Sequence, residues 1–258
     1  GKVHDTGILL ETMLHLGTAA AIIFLYKKDL KKVGAETLGM CLDMIGNLNL
    51  YIHNKKTGKN LRYAKIVYGS YRKFAALLAV SMIPTVLLGL TSRKLAELSA
   101  QSSLVSGIGF LFTGMFLLVT DLNGSGGQKG PKEAAYHSAM WIGICQGIAV
   151  FPGISRMGLT ICAALLCGYS RKFAVKFSVF MSLPALIGAF LTEMGYFASQ
   201  SMTAMTGVAY VLGMIVAGFA GCLLIRWALR VTQKTKLRYF AYYSFVAGAA
   251  ALAVNYLV

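Results

Sequence analysis

The sequence predicts an all-α, polytopic integral membrane protein, and its composition is the first reason. Of its 258 residues, 57% are hydrophobic and only 13% are charged, which is about half the charged share of a soluble domain. The second reason is that long uncharged runs alternate with short basic segments. The net charge of +16 is therefore interpreted as basic loops beside a membrane, and no nucleic-acid partner is expected.

The apolar runs give the predicted membrane segments. About 20 helical residues cross a hydrocarbon core about 30 Å thick, because an α-helix rises about 1.5 Å per residue. The runs show no alternation of apolar and polar residues, so we expect helices and not barrel strands. A turn is expected near 199–201. The runs are residues 9–26, 74–91, 98–120, 138–155, 157–170, 177–192, 194–225 and 239–258.

The distribution of basic residues predicts the topology. One set of segments holds 21 of the 25 Lys and Arg residues, and the opposite set holds 3. Cytoplasmic loops are the ones enriched in Lys and Arg, so the first set is expected in the cytoplasm. The basic set is 27–73, 121–137, 170–176 and 226–238, and the opposite set is 1–7, 93–103 and 193–206.

Segment 27–73 is the longest of the basic segments. It mixes apolar residues such as Leu42, Ile45 and Leu48 with several lysines. This mixture predicts an amphipathic helix on the cytoplasmic surface, and a solvated loop is the alternative.

Segment 137–170 has both flanks on the basic side, yet its second arm is too short to span the membrane. Pro152 and Gly153 interrupt it, and Arg156 follows inside an apolar run. A re-entrant helix pair that enters the membrane and returns fits this pattern better than two full spans. Irregular backbone at membrane depth is tolerated only beside protein or water, so the tip is expected to line a cavity.

The residues at this tip are those expected to bind an anion. Pro152 and Gly153 stop the incoming helix, and Ser155 is a suitable N-cap for the outgoing one. The first amides of that helix carry the positive end of its dipole, and Gly153 and Gly158 permit close approach to the backbone. Arg156 adds a fork of donors that suits phosphate. The alternative is that Arg156 reaches the membrane surface or pairs with a carboxylate such as that of Glu11.

Three further polar residues lie within the apolar segments. Thr160 adds a hydroxyl one turn after Arg156. Gln146 lies on the incoming arm, where a helix–helix hydrogen bond is the alternative to a ligand contact. Glu11 and His15 are four residues apart on one helix face, which suits either a metal or proton site or a structural contact between helices.

Three stretches carry a family resemblance that runs nearly end to end. They are LETMLHLGT at 10–18, GICQGIA at 143–149 followed by PGISR at 152–156, and FSVFMSLP at 177–184. The chain resembles the BacA/UppP-type undecaprenyl-diphosphate phosphatases of bacteria, whose second motif is PGxSRSGxT. The resemblance implies two inverted repeats, divided here into 1–136 and 137–258, within a single membrane domain.

The resemblance also implies an activity. The family removes the terminal phosphate of undecaprenyl diphosphate in the bacterial plasma membrane, which recycles the lipid carrier for peptidoglycan synthesis and confers bacitracin resistance. It implies a divalent cation, Mg²⁺ or Ca²⁺, and a polyprenyl diphosphate substrate held among membrane lipids. A homodimer is a further arrangement that the sequence leaves open. Carried over to this chain, Arg156, Ser155 and Thr160 would act in catalysis, and Gly153, Ser155, Arg156, Gly158 and Gln146 would bind substrate.

The chain departs from the family pattern in two places. The family's first re-entrant pair, with a glutamate-rich motif and a Ser/His motif, has no counterpart from Gly1 onward, so the metal-binding carboxylates are expected upstream of Gly1. The family's second serine after the arginine is Met157 here. A polyprenyl-phosphate transporter or flippase without hydrolysis is the rival function, because inverted repeats with broken helices are also typical of transporters.

Overall fold

The computed structural model describes the backbone of residues 2–100, 102–124, 126–199, 204–234 and 236–257. It describes the side chains of these residues except 2–9, 11, 192–199, 204, 229, 233–234 and 257. The helices within these ranges are α1 (Lys2–Thr57), α2 (Gly69–Ser99), α3 (Ser103–Leu122), α4 (Tyr136–Ile148), α5 (Arg156–Leu166), α6 (Arg171–Ser199), α7 (Ala204–Lys234) and α8 (Arg238–Leu257).

The all-α, polytopic prediction is confirmed. The described ranges contain no strand beyond an isolated bridge between Lys129 and Tyr169. By length and apolar composition, α2, α3, residues 171–191 of α6 and residues 205–232 of α7 can each cross a membrane. The turn expected near 199–201 falls at the end of α6 and in residues 200–203, which lie outside the described part of the chain.

Helix α1 is longer than the sequence predicts. The first apolar run and most of segment 27–73 form one helix of 56 residues, with a single non-helical residue at Tyr26 (φ −111°, ψ 17°). The expectation of a helix in this segment is confirmed, and the solvated-loop alternative is wrong for residues 27–57. The remaining residues of the segment, up to Tyr68, run back to the start of α2.

Small residues let the helices approach one another closely. The most extensive helix pairs are α3 with α8, α1 with α7, and α2 with α4. A Cβ atom added at Gly143 of α4 would lie 2.1 Å from the carbonyl oxygen of Ser81 on α2, and one added at Gly17 of α1 would lie 2.2 Å from that of Met214 on α7. Such contacts are typical of membrane helices, whose association depends on close packing.

A buried carboxylate joins α3 to α8 at the basic end of the bundle. Asp121, near the end of α3, accepts hydrogen bonds from the backbone amide of Leu237 (2.9 Å) and from Nε of Arg238 (2.7 Å). Its side chain is almost fully buried. The carboxylate therefore caps the amino end of α8 and fixes α8 against α3, and both helices line the groove beside the break between α4 and α5.

Candidate active site at the broken helix

The re-entrant prediction for 137–170 agrees with the lengths of α4 and α5. These helices have 13 and 11 residues, too few for either to cross a bilayer alone. The chain between them turns at residues 149–155, where Gly153 has φ +80°. Only glycine adopts this left-handed conformation without a steric cost, which explains why this residue stands at the break.

Helix α3 lies directly against the break. A Cβ atom added at Gly109 would lie 2.3 Å from the carbonyl oxygen of Pro152, and one added at Gly153 would lie 2.0 Å from that of Ser106. Neither position has space for a side chain. The two short helices are therefore positioned by backbone-to-backbone contact with α3.

Thr113 connects α3 to the break by hydrogen bonds. Its hydroxyl oxygen accepts a hydrogen bond from the backbone amide of Ser155 (3.0 Å). The same hydroxyl lies 2.9 Å from the carbonyl oxygen of Gly109 and 3.3 Å from that of Gly153, to which it can donate. Thr113 is itself buried, so these bonds are shielded from competition by water.

Ser155 caps the amino end of α5, as the sequence predicts. Its Oγ accepts a hydrogen bond from the backbone amide of Gly158 (3.1 Å), while its carbonyl oxygen accepts one from the amide of Leu159 (2.8 Å). The side chain of Ser155 is exposed. A helix whose amino end opens from such a cap presents donors and a positive partial charge to an anion.

The structure brings four of the predicted site residues together at this cap. Gly153, Ser155, Arg156 and Gly158 occupy the break and the first turn of α5, and Arg156 is half-buried. The other two predicted site residues, Thr160 and Gln146, lie apart from the exposed cap.

Thr160 and Gln146 are both buried within the bundle. The Thr160 hydroxyl donates to the carbonyl oxygen of Arg156 (2.9 Å), so a contact with a phosphate oxygen would require it to rotate. Gln146 donates from Nε2 to the carbonyl oxygen of Met181 on α6 (3.2 Å). Its Oε1 is buried and has no partner among the described residues. The catalytic role of Thr160 and the substrate contact of Gln146 stay predictions.

An open groove lies beside the cap, in agreement with the cavity expected at the tip. Its volume is about 280 Å³, and its wall is largely apolar. Helix α5 contributes Ser155, Met157, Gly158 and Ile161 to it. The other walls come from Phe110, Thr113 and Leu117 of α3, from Ala228 and Thr232 of α7, and from Leu237, Phe240, Tyr243 and Ser244 at the start of α8.

The side chains that the structure describes do not form a metal site. They contain no group of three or more His, Cys, Asp or Glu residues able to hold an ion. Nδ1 of His15 is buried with no partner among them, and the side chain of Glu11, its predicted neighbour on the helix, lies outside the described residues. The described part of the chain therefore does not fit a divalent cation by itself.

Comparison with known proteins decides the family. Residues 2–250 match the family described as bacitracin resistance protein BacA. The chain belongs to this family. An undecaprenyl-diphosphatase from Alkaliphilus metalliredigens is 31% identical over all of this chain and 88% of that protein. One from Methanosphaera stadtmanae is 31% identical over 95% of this chain and 83% of that protein, and undecaprenyl-diphosphatase 4 from Bacillus thuringiensis is 28% identical over 99% and 85%.

Thr113, whose hydroxyl bonds the Ser155 amide, was not among the site residues predicted from the sequence of this BacA family member. It lies 40 residues before Gly153 and carries no motif of its own. The available signal was the series of small residues Ser106, Gly109 and Thr113 on α3, a spacing that permits close approach of another backbone within a membrane. The series does not specify which segment of the chain packs against α3.

Proposed function

We propose that this chain is an undecaprenyl-diphosphatase, which hydrolyses the terminal phosphate of the C55 lipid diphosphate. The observation that carries the proposal is the capped amino end of α5, opening from a broken helix with Arg156 in its first turn. Family membership and relatives named undecaprenyl-diphosphatase support the substrate. The product would be the monophosphate carrier of peptidoglycan synthesis, and loss of the enzyme would lower bacitracin resistance.

In this proposal the first turn of α5 binds the diphosphate. Phosphate oxygens accept hydrogen bonds from backbone amides at a helix amino end, where the helix dipole also favours negative charge. The Arg156 guanidinium would stabilise the charge that builds up on the transferred phosphoryl group and its leaving oxygen. The Ser155 hydroxyl, exposed at the cap, would orient an oxygen of the same group.

We propose that Thr113 and Thr160 support the phosphate-binding end of the site through their hydrogen bonds to the backbone. Thr113 fixes the position of the Ser155 amide, and Thr160 ties the first turn of α5 by its bond to the Arg156 carbonyl. We propose that Gln146 orients the arm of α4 against α6 through its bond to Met181. Their loss would misplace the donors, and a displacement of about 1 Å can cost roughly 100-fold in rate.

The prenyl tail would lie along the apolar groove that begins at the cap. Met157, which replaces the serine of the family motif, is one of its lining residues together with Ile161 and Phe240. A methionine extends apolar surface toward the head-group end of the groove. The substitution therefore removes one hydroxyl from the phosphate site and adds packing area for the chain next to it.

The experiment is phosphate release from undecaprenyl diphosphate by the purified protein in detergent. Hydrolysis in detergent needs no sealed compartment, so it separates a phosphatase from the rival transporter. Release of inorganic phosphate at a rate proportional to enzyme concentration supports the proposal. Movement of polyprenyl phosphate across sealed vesicles, without phosphate release in detergent, would contradict it.

Metal dependence and location are parts of the same proposal. We expect chelation by EDTA to abolish phosphate release and added Mg²⁺ or Ca²⁺ to restore it, although the described residues supply no ligand set. Release that persists unchanged in EDTA would remove the cation from the proposal.

We place the protein in the bacterial plasma membrane with its basic ends in the cytoplasm, where Lys and Arg are enriched in membrane-protein loops.

A further inference from the structure

The half of α1 beyond Tyr26 has no part in the proposed active site. We call residues 27–57 the surface helix and residues 58–68 the strap, which returns along that helix to the start of α2. The strap is not helical, so its backbone groups need water or polar partners. It also carries Lys59, Arg62 and Lys65. The surface helix and strap therefore lie outside the hydrocarbon core.

Two asparagines bind the strap to the surface helix. Asn54 exchanges hydrogen bonds with the backbone of Leu61, donating over 3.0 Å and accepting over 3.1 Å. Asn47 does the same with the backbone of Ala64, at 2.8 Å in both directions. These bonds are made by one side of the helix.

Arg72, at the start of α2, holds the same side of the helix. Its Nε donates to Glu36 (2.8 Å), and its Nη1 donates to the Asp43 carboxylate and to the carbonyl oxygen of Ile66 (2.9 Å). The guanidinium also covers the ring of Tyr68, 3.9 Å from the ring centroid. Glu36 and Asp43 are the only charged residues between 33 and 54, so the charges of this stretch all face inward to Arg72.

The opposite side of the surface helix exposes an apolar stripe. Its members are three or four residues apart, which at about 100° per residue places them on one helix face. Each is between 44% and 63% exposed. They are Leu38, Leu42, Ile45, Leu48 and Ile52.

Both ends of the stripe are basic. Lys27, Lys28, Lys31 and Lys32 precede it, and Lys55 and Lys56 follow it. An apolar stripe between lysine clusters is complementary to a leaflet that contains anionic lipids: the apolar side chains enter the acyl boundary while the lysines contact head groups. A second copy of the chain fits less well, because pairing two stripes in either direction would set lysine clusters against each other.

We propose that the surface helix lies on the anionic leaflet of the protein's own membrane, with the stripe inserted at the acyl boundary. This goes beyond the proposed phosphatase activity and does not depend on it. The hydrogen bonds that Asn47, Asn54 and Arg72 make between the surface helix, the strap and α2, which we call the clasp, hold the helix with the stripe toward the lipid.

The test uses Cys41, an exposed cysteine next to the stripe, as the site of a fluorescent label. Cys145 and Cys162 are buried, and replacing the half-buried Cys167 and Cys222 with alanine directs labelling to this position. The labelled protein is reconstituted in vesicles of phosphatidylcholine, with or without phosphatidylglycerol. We expect quenching by lipids that carry a shallow nitroxide, and we expect this quenching to increase with phosphatidylglycerol.

Matched variants decide the outcome. Leu42→Glu with Ile45→Glu should abolish lipid quenching, whereas Met44→Glu with Tyr51→Glu, equally exposed on the flank of the same helix, should retain it. Lys55→Glu with Lys56→Glu should remove only the response to phosphatidylglycerol, and this variant leaves the clasp intact. Phosphate release in detergent should be unchanged in all three.

Two results would overturn the proposal. The first is a label that aqueous iodide quenches equally in every vesicle while the lipid nitroxides do not. The second is disulfide cross-linking between Cys41 residues of two copies that Leu42→Glu with Ile45→Glu prevents, which would assign the stripe to a dimer contact.

Discussion

Replacing Gly153 with alanine tests the contact between α3 and the broken helix. Gly153 has φ +80°, a conformation that costs an L-residue roughly 1–2 kcal/mol. The added Cβ would also lie 2.0 Å from the carbonyl oxygen of Ser106, whereas carbon–oxygen contacts are ordinarily about 3.3 Å or more. The obstructing atom belongs to the backbone of α3, so relief requires the break and α3 to separate by more than an ångström.

Alanine substitutions at two other glycines separate the free-energy cost of Gly153→Ala into backbone strain and overpacking. Gly58 has φ +68° with no neighbouring atom within 4 Å, and Gly188 lies in α6 in equally open space. Gly58→Ala should therefore lose about 1–2 kcal/mol of unfolding free energy from strain alone. Gly188→Ala should gain about 0.5–1 kcal/mol from helix propensity. Gly153→Ala should lose about 2–5 kcal/mol, because overpacking adds about 1–3 kcal/mol to the strain.

The assay is unfolding by SDS titration in mixed micelles, with phosphate release measured on the same preparations. We expect Gly153→Ala to lose both stability and activity, and Gly58→Ala to lose only stability. If Gly153→Ala unfolds within about 0.5 kcal/mol of Gly58→Ala and releases phosphate at the parent rate, the reasoning from backbone contact is refuted.

Three further predictions concern the side chains of Thr113, Asp121 and Asp29. Thr113→Val keeps the shape but leaves the Ser155 amide without its acceptor, which should cost about 1–3 kcal/mol and lower kcat more than it raises KM; parent-like kinetics would contradict it. Asp121→Ala removes the acceptor of two hydrogen bonds and should cost about 2–3 kcal/mol in the SDS titration, and a further Arg238→Ala change should add little. Asp29 forms an ion pair with Lys176 on α6 (2.9 Å). Burial alone would raise the pKa of Asp29, but the hydrogen bond and positive charge of Lys176 hold that pKa below its usual value of 3.8. Its ion pair therefore stabilises the fold at neutral pH and is lost as pH falls below 3.8, so the melting-temperature difference between the parent and Asp29→Asn should vanish in acid, whereas a constant difference would contradict the ion pair.

Local residue chemistry was sufficient to predict the break and its cap. Pro152, Gly153 and Ser155 act on the backbone within a few residues of their own positions, so their spacing specifies where α4 ends and α5 begins. Four of the membrane segments, which lie in α2, α3, α6 and α7, were predictable for a similar reason, because the length of an apolar run sets whether a helix can cross the bilayer.

Contacts between distant segments could not be predicted in this way. Thr113 reaches the Ser155 amide across 42 residues of sequence, and Arg72 reaches Glu36 across 36 residues and Asp43 across 29. The sequence also left open whether the Thr160 hydroxyl would face a ligand or its own helix, since a buried threonine can return its proton to the preceding turn. Such choices depend on packing, which periodicity does not specify.

The most direct test of the account is phosphate release from undecaprenyl diphosphate by Arg156 variants in detergent, with exposed Arg226 on α7 as the matched control. Arg156→Ala should lose at least about 100-fold in kcat, the effect of removing one preorganised donor from developing charge. Arg156→Lys should recover part of it, because lysine keeps the charge but not the planar fork, and Arg226→Ala should match the parent. Parent-like phosphate release by a folded Arg156→Ala variant would contradict the claim that the amino end of α5 binds the diphosphate.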